Sequence, residues 1–340
     1  MAETRYEEAV EALTAVFGDR VGRSGGEAYL SPTGIEEARL MAEISNRYEV
    51  PLTPLGAGTG NGSTHPPGIP VRFDLMKEVR LPDDDEPWVE AGPGASWLNL
   101  DDELRARGRG LTVYPTSAPR ATVGGWLATD GLGVGSFEYG RLRENVLSAT
   151  VVSSSGKLSE MPGADLASPS QPAGEGSIIV RARLQTRRAD ADAPFAAAFD
   201  NAADLVAAVE GLADSRPPLW HLAFLNPTLA RARHLEAEYL LFGAYPRGRE
   251  HGVSDALHAV VERSRGRLLG VADAYRVWGE RFFPVTPSAA SVPEAVREIL
   301  PLVGIRDALE RAEGQRTVAV QGSVSRSGEA LMLAFEEERL

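Results

Sequence analysis

The apolar positions of the first half alternate between helical and extended spacing. In SPTGIEEARLMAEISNRY, Ile35, Ala38, Met41 and Ile44 form one helical stripe, and Thr33 with Glu36 has the spacing of a capping box. VPLTPL follows as a strand, Val50 to Leu55, and runs straight into a glycine-rich turn. VRFDLM (Val71 to Met76) and WVEAG (Trp88 to Gly92) read as further strands, and Ser96 opens a helix through Leu104 that ends at Gly108. Asn145 to Ser153 is another strand, and residues 163–176, rich in Gly, Pro, Ser and Ala, are loop. Ile178, Val180, Ala182 and Leu184 then alternate with Arg181, Arg183 and Gln185, which puts the four apolar residues on one strand face. RRADADAP links to the second half. There, helices are expected over Ala202 to Ala213 and over Ser254 to Arg263, the latter with Ala256, Val260 and Val261 turned inward. Pro293 suits the first turn of a further helix through Leu300. LWHLAFL and AEYLLFGAY read as strands, and RTVAVQGSV with EALMLAF as a closing strand pair. A βαβ-type layer is one arrangement of this half, and the pattern does not fix its strand order.

At 340 residues the chain exceeds what one core holds, so two domains are expected, 1–190 and 191–340. The formal net charge of −13 repels phosphate backbones and anionic membranes and argues against nucleic-acid or lipid partners. The absence of cysteine excludes disulfides, thiolate metal sites, cysteinyl flavin links and thiol catalysis. The five histidines show no ligand spacing, so no metal is expected. MAETRYEEAV lacks the basic start and apolar core of a signal peptide, and no apolar run is long enough for a membrane span. The expectation is a cytoplasmic protein.

The segment PLTPLGAGTGNGS carries the most chemistry. Gly56, Gly58, Gly60 and Gly62 alternate directly after a strand, so consecutive backbone N–H groups can form a concave anion site for a pyrophosphate. Thr59, Asn61 and Ser63 add side-chain donors. The P-loop is excluded by the lack of lysine, and the Rossmann fingerprint by Asn61 at its sixth position and by THPPGIP where a helix should begin. A tight loop that binds nothing is the alternative. Downstream, YPTSAPRATVGGWLATDGLGVGSFEYG brings Thr116, Ser117 and Thr122 into Val123-Gly124-Gly125, then Thr129-Asp130-Gly131, and later Tyr139-Gly140.

These motifs in this order, with GEGS before a strand, resemble the FAD-binding domain of the vanillyl-alcohol-oxidase and p-cresol-methylhydroxylase type, above all glycolate oxidase FAD subunits and D-lactate or 2-hydroxyacid dehydrogenases. The resemblance covers roughly residues 25–186 and continues more weakly in VTPSAASVPEAVREI. It implies an α+β fold: a two-subdomain FAD-binding domain plus a smaller, apparently truncated α/β cap domain. It also implies non-covalent FAD. Gly56, Ala57, Gly58, Thr59, Gly60, Asn61 and Gly62 would cradle the pyrophosphate. Thr116, Ser117 and Thr122, with Gly124 and Gly125, would run along the cofactor, and Thr129, Asp130 and Gly131 would meet it near the flavin. Glu175, Gly176, Ser177, Ile178 and Val180 match the family's EGTLGII element. Ile179 replaces the second glycine of that element, and VQGSVSRSGEALMLAF stands where relatives carry a histidine-containing strand. His65 does not have the spacing of a covalent flavin histidine.

The catalytic residues are not identified by sequence. His221 is the histidine best placed to point at a flavin, with a structural role as the alternative. Arg141 and Arg143 suit either a substrate carboxylate or ion pairs, Tyr139 either the cofactor or loop support, and Trp126 packing rather than stacking. Three readings follow. One is an FAD-dependent oxidoreductase acting on a small 2-hydroxy acid by hydride transfer to flavin N5. The second is an accessory FAD subunit working with other oxidase subunits, and the third is a scaffold that has lost flavin.

Overall fold

The computed structural model describes residues 2–59, 68–83, 85–168, 171–172, 177–189, 191–236, 238–282, 295–315 and 318–337. They form two compact units. The first comprises Met1–Asp101, Arg120–Asp130 and Arg143–Thr186, and the second Asp102–Pro119, Gly131–Leu142 and Arg187–Leu340.

The first unit contains two larger sheets and the two-stranded pair Ala167–Ser168 with Gln171–Pro172. One larger sheet has the order Val21–Ser24, Glu27–Leu30, Ile69–Arg72, Leu52–Leu55, and its last two neighbour pairs are parallel. The helices Ala2–Phe17 and Ile35–Arg47 cover it, and Leu13, Ala38 and Met41 are fully buried with Leu30, Ile69 and Val71. Of these, the Leu, Ile, Val and Met side chains contribute about 1.5–3 kcal/mol each when fully buried. The predicted capping box does not form. The helix starts one residue later than the box requires, with Gly34 at its N-cap, and the Glu37 carboxylate rather than Glu36 accepts the Thr33 N–H at 2.8 Å. The second sheet runs Val79–Arg80, Trp88–Ala91, Ser177–Arg188, Val146–Ser153, Leu158–Met161, with antiparallel neighbours.

The strand Ser177–Arg188 departs from the simple alternation expected of it. Ile178 pairs with Val152 and Ile179 with Val151, but Arg181 pairs with Thr150, so Val180 is an extra residue in a bulge. Ile178 and Ile179 are both buried, on opposite faces, and Ile178 does not share a face with Ala182 and Leu184.

The second unit is built on a seven-stranded sheet of order Arg267–Leu268, Asp192–Phe199, Tyr239–Pro246, His221–Leu225, Val318–Val324, Glu329–Glu336, Ala295–Pro301. Every neighbouring pair is antiparallel, so the βαβ arrangement is not found. Helices Ala202–Ser215, Glu250–Arg263 and Ile305–Gly314 bury Leu205, Val209, Leu257 and Leu309 against Leu222, Phe224 and Val320 on one face. On the other face, Ala223, Leu225 and Phe242 pack with Ala274 and Val277 of the helix Val271–Gly279. The closing strand pair is as expected. The helix expected up to Leu300 is instead the strand Ala295–Pro301, whose hydrogen bonds go to Glu329–Glu336. Pro293, which prompted the helix, lies outside the described residues.

Candidate functional site

The strand Leu52–Leu55 ends in a parallel pairing, and Gly56 leaves its carboxyl end. A Cβ on Gly56 would stand 3.1 Å from the Gly125 Cα and 3.3 Å from Thr122 Oγ1. A Cβ on Gly125 would stand 3.3 Å from the Gly56 Cα and 3.0 Å from Thr122 Oγ1. The two glycine turns, far apart in sequence, therefore touch backbone to backbone. Gly58 is held at φ +67° with no neighbour where a Cβ would be, a conformation that favours glycine. Around the junction lies a cleft lined by Pro54, Leu55, Gly56, Phe73, Pro93, Gly124, Gly125, Ala128, Ser177 and Ile179. None of these lining residues is acidic or basic.

Local hydrogen bonds shape the second turn. Thr122 is the N-cap of the helix Val123–Leu127, and its Oγ1 accepts the Gly125 N–H at 3.3 Å. The Val123 N–H donates to the Ala95 carbonyl at 2.8 Å and the Gly124 N–H to the Pro93 carbonyl at 2.9 Å. With these amides engaged inside the fold, Gly124 and Gly125 serve the cleft by lacking side chains. A Cβ on Gly124 would stand only 2.8 Å from Pro93 Cβ. The Trp97 indole N–H donates to the Thr122 carbonyl at 3.0 Å, and its ring meets Trp126 edge to face at 5.1 Å. Trp126 is thus a packing residue. The Thr129 hydroxyl donates to the Trp126 carbonyl at 3.1 Å. Asp130, at φ +51°, accepts the Arg143 N–H at 3.1 Å and pairs with its guanidinium at 3.7 Å. Thr129 and Asp130 hold the turn's shape.

Of the residues singled out by sequence, Gly56, Thr122, Gly124, Gly125 and Ser177 come together here, with Ala57, Gly58 and Thr59 on the adjoining turn. Ile178 and Val180 pack into the core of the first sheet. Thr116, Ser117 and Gly131 belong to the second unit. Gly60, Asn61, Gly62, Ser63, His65, Glu175 and Gly176 lie outside the described residues. The sequence reading missed Phe73, Pro93 and Ala128, although the run Gly92-Pro93-Gly94 before a helix was a visible signal of close backbone packing.

The second unit holds a separate polar group. Arg281 Nε donates to the Tyr114 hydroxyl at 3.4 Å and Nη1 to the Trp278 carbonyl at 3.0 Å. Its guanidinium lies 4.6 Å from the Trp278 ring centre and 4.1 Å from that of Phe282. No carboxylate among the described residues pairs with it. His221 is fully buried, and its Nδ1 accepts the Gly135 N–H at 3.3 Å. Burial, reinforced by the Arg281 charge, lowers its pKa to about 3, so it is neutral at physiological pH. Arg141 is in a bidentate ion pair with Glu329, at 3.0 Å to each oxygen, and Arg143 is paired with Asp130; both therefore form ion pairs. Burial, then the neighbouring Glu138 charge, raises the Tyr139 pKa. Among the described residues no group of His, Asp and Glu could hold a metal ion.

Residues 26–161 match the FAD binding domain family. The chain carries an FAD-binding domain. Its cofactor is FAD, and the cleft suits it: two side-chain-free turns leave room for a diphosphate, and no carboxylate among the described lining residues would repel one. The mitochondrial D-lactate dehydrogenase [cytochrome] of Arabidopsis thaliana is 34% identical over 130 residues, covering 37% of this chain and 23% of that protein. Glycolate oxidase subunit GlcD of Bacillus subtilis is 25% identical over 135 residues, covering 39% of this chain and 29% of that protein. The matched region thus spans less than a third of either relative's length. The structure of p-cresol methylhydroxylase with substrate bound superposes with a TM-score of 0.77 at 13% identity, over 99% of this chain and 84% of that one. The FAD-binding domain and the rest of the chain have the fold of that oxidase type. No helix among the described residues is long and apolar enough to cross a membrane.

Proposed function

We propose that this protein is an FAD-dependent oxidoreductase acting on a small 2-hydroxy acid, with the FAD-binding domain in the first half and a substrate-binding unit formed mainly by the second. Bound FAD supplies a two-electron hydride acceptor for the carbon bearing the hydroxyl. The observation that carries the substrate class is Arg281, a guanidinium with no carboxylate partner among the described residues. It is held by the Tyr114 hydroxyl and two aromatic rings. A planar fork kept this way suits a substrate carboxylate, and the rings beside it limit water and strengthen the pairing. His221, weakly basic and already hydrogen-bonded, supports the sheet rather than receiving the hydroxyl proton. A second reading, an FAD subunit working inside a larger oxidase, is favoured by the likeness to a glycolate oxidase subunit.

The purified chain is expected to be yellow with oxidised flavin, and D-lactate or glycolate should bleach it without air. Arg281→Met should keep the colour and raise KM about tenfold or more, the cost of a charge-assisted hydrogen bond. A chain that stays colourless after incubation with FAD would sink the flavin reading. Unchanged KM in Arg281→Met would sink the carboxylate assignment, and bleaching only after a partner is added would favour the subunit reading.

A further inference from the structure

We propose that the side-chain amide oxygen of Gln321 accepts a hydrogen bond from the substrate hydroxyl while Arg281 holds the carboxylate; this rests on the 2-hydroxy acid reading above. Gln321 lies in the strand Val318–Val324, facing Leu225 on one neighbour and Leu333 on the other, and is 1% exposed. Its Nε2 donates to the backbone carbonyl of Arg281 at 2.9 Å. A carbonyl can only accept, so this bond fixes which end of the amide is nitrogen. The other end, Oε1, is buried with no hydrogen-bond partner among the described residues. Ala223, Leu225, Ala319 and Phe335 form the apolar cluster on this face, and no described residue bonds to the oxygen. Buried polar atoms are nearly always paired, and an orphan beside a binding group points to a donor that arrives with the ligand. Among the described residues one other buried side-chain oxygen lacks a partner, Glu138 Oε2, but it belongs to a carboxylate already bonded to Arg249 through Oε1 at 2.8 Å.

Gln321 Oε1 is a neutral acceptor tied to the backbone of the residue whose guanidinium binds the acid. A hydroxyl next to a carboxylate supplies the matching donor. An amide oxygen does not remove the proton, so Gln321 is a positioning residue: it distinguishes a hydroxy acid from its deoxy counterpart and orients the carbinol carbon.

The test is calorimetric titration of the FAD-loaded full chain with two acids. 2-Hydroxy-2-methylpropanoate carries the hydroxyl but no hydrogen on the carbinol carbon, so it is not oxidised, and 2-methylpropanoate lacks the hydroxyl. The wild type is expected to prefer the hydroxylated acid about five- to tenfold, the worth of one hydrogen bond. Gln321→Met, similar in volume, should bring that ratio close to one with little change for the deoxy acid. Arg281→Met should weaken both acids and leave the ratio intact. A ratio that survives Gln321→Met, as it would if an internal water serves the amide, overturns the proposal and leaves the 2-hydroxy acid reading standing. Failure of the wild type to bind either acid overturns both. Should Gln321→Met not fold, Gln321→Glu retains an oxygen acceptor. It should weaken both acids by charge repulsion and keep the preference, and a ratio of one in that variant overturns the proposal.

Discussion

Gly56 and Gly125 are small because of what they touch. Neither has a positive φ, so an alanine backbone would be tolerated at both, yet a Cβ on Gly125 would press on Thr122 Oγ1 at 3.0 Å and on Gly56 at 3.3 Å. Gly125→Val is expected to force the two turns apart at about 1–3 kcal/mol and to weaken FAD binding about tenfold or more, measured by titrating the apoprotein with FAD. Undiminished affinity would show that the touching turns do not shape the cofactor site. At this scale the sequence was informative about which glycines matter and silent about how. The alternation after a strand marked the first turn as a place of close approach. That the amides of Gly124 and Gly125 are engaged, and that Thr129 and Asp130 brace the turn, depends on Pro93, Thr122 and Arg143, whose proximity no spacing rule encodes.

Elements with a strong apolar period were legible: the helix Ile35–Arg47, the strand Leu52–Leu55 and the closing pair Val318–Val324 with Glu329–Glu336. Ala295–Pro301 was not, because a proline followed by Glu, Ala and Arg reads as a helix start. The backbone bonds offered by the neighbouring strand outweigh that local preference. The helix Ile305–Gly314 beside it, with Ile305, Leu309 and Ala312 turned inward, has no capping side chain or first-turn proline to mark its start. The join between the strands Ser177–Arg188 and Asp192–Phe199 is held by charge. Arg187, 8% exposed, pairs with Asp192 at 2.9 Å, donates to the Leu111 carbonyl and lies 3.7 Å above the Trp220 ring, and Arg105 reaches the same carboxylate at 3.0 Å. Asp192→Asn leaves two cations facing a neutral amide. A loss of about 3 kcal/mol is expected in urea unfolding. A change under 1 kcal/mol would mean that water replaces the lost charge.

Across the whole molecule the chain passes between its two units several times, at Asp102, Arg120, Gly131, Arg143 and Arg187. Hydrophobic pattern cannot signal such crossings, since a segment's period is the same whichever core it joins. Stability against acid is a property of the entire fold, and His221 gives it a defined window. Its folded pKa of about 3 lies below the ordinary 6.5, so the unfolded chain takes up the proton first. The neutral ring's contribution is complete above pH 6.5 and is lost as the pH falls toward 3, at about 1.4 kcal/mol per pH unit. His221→Gln, which cannot titrate, should lose less stability than the wild type between pH 6.5 and 4 in thermal unfolding. Equal losses would place the acid sensitivity elsewhere. The bulge at Val180 carries a last implication. A regular ribbon divides its residues into one wet side and one dry side. The single surplus residue shifts that phase, so the stretch just before it is dry on both sides, with Ile178 turned into the core against the first sheet and Ile179 forming a wall of the cleft at the glycine turns. One short span of backbone is thereby a partition with two finished surfaces, and trimming it by a single residue would exchange what faces the core and what faces the cleft.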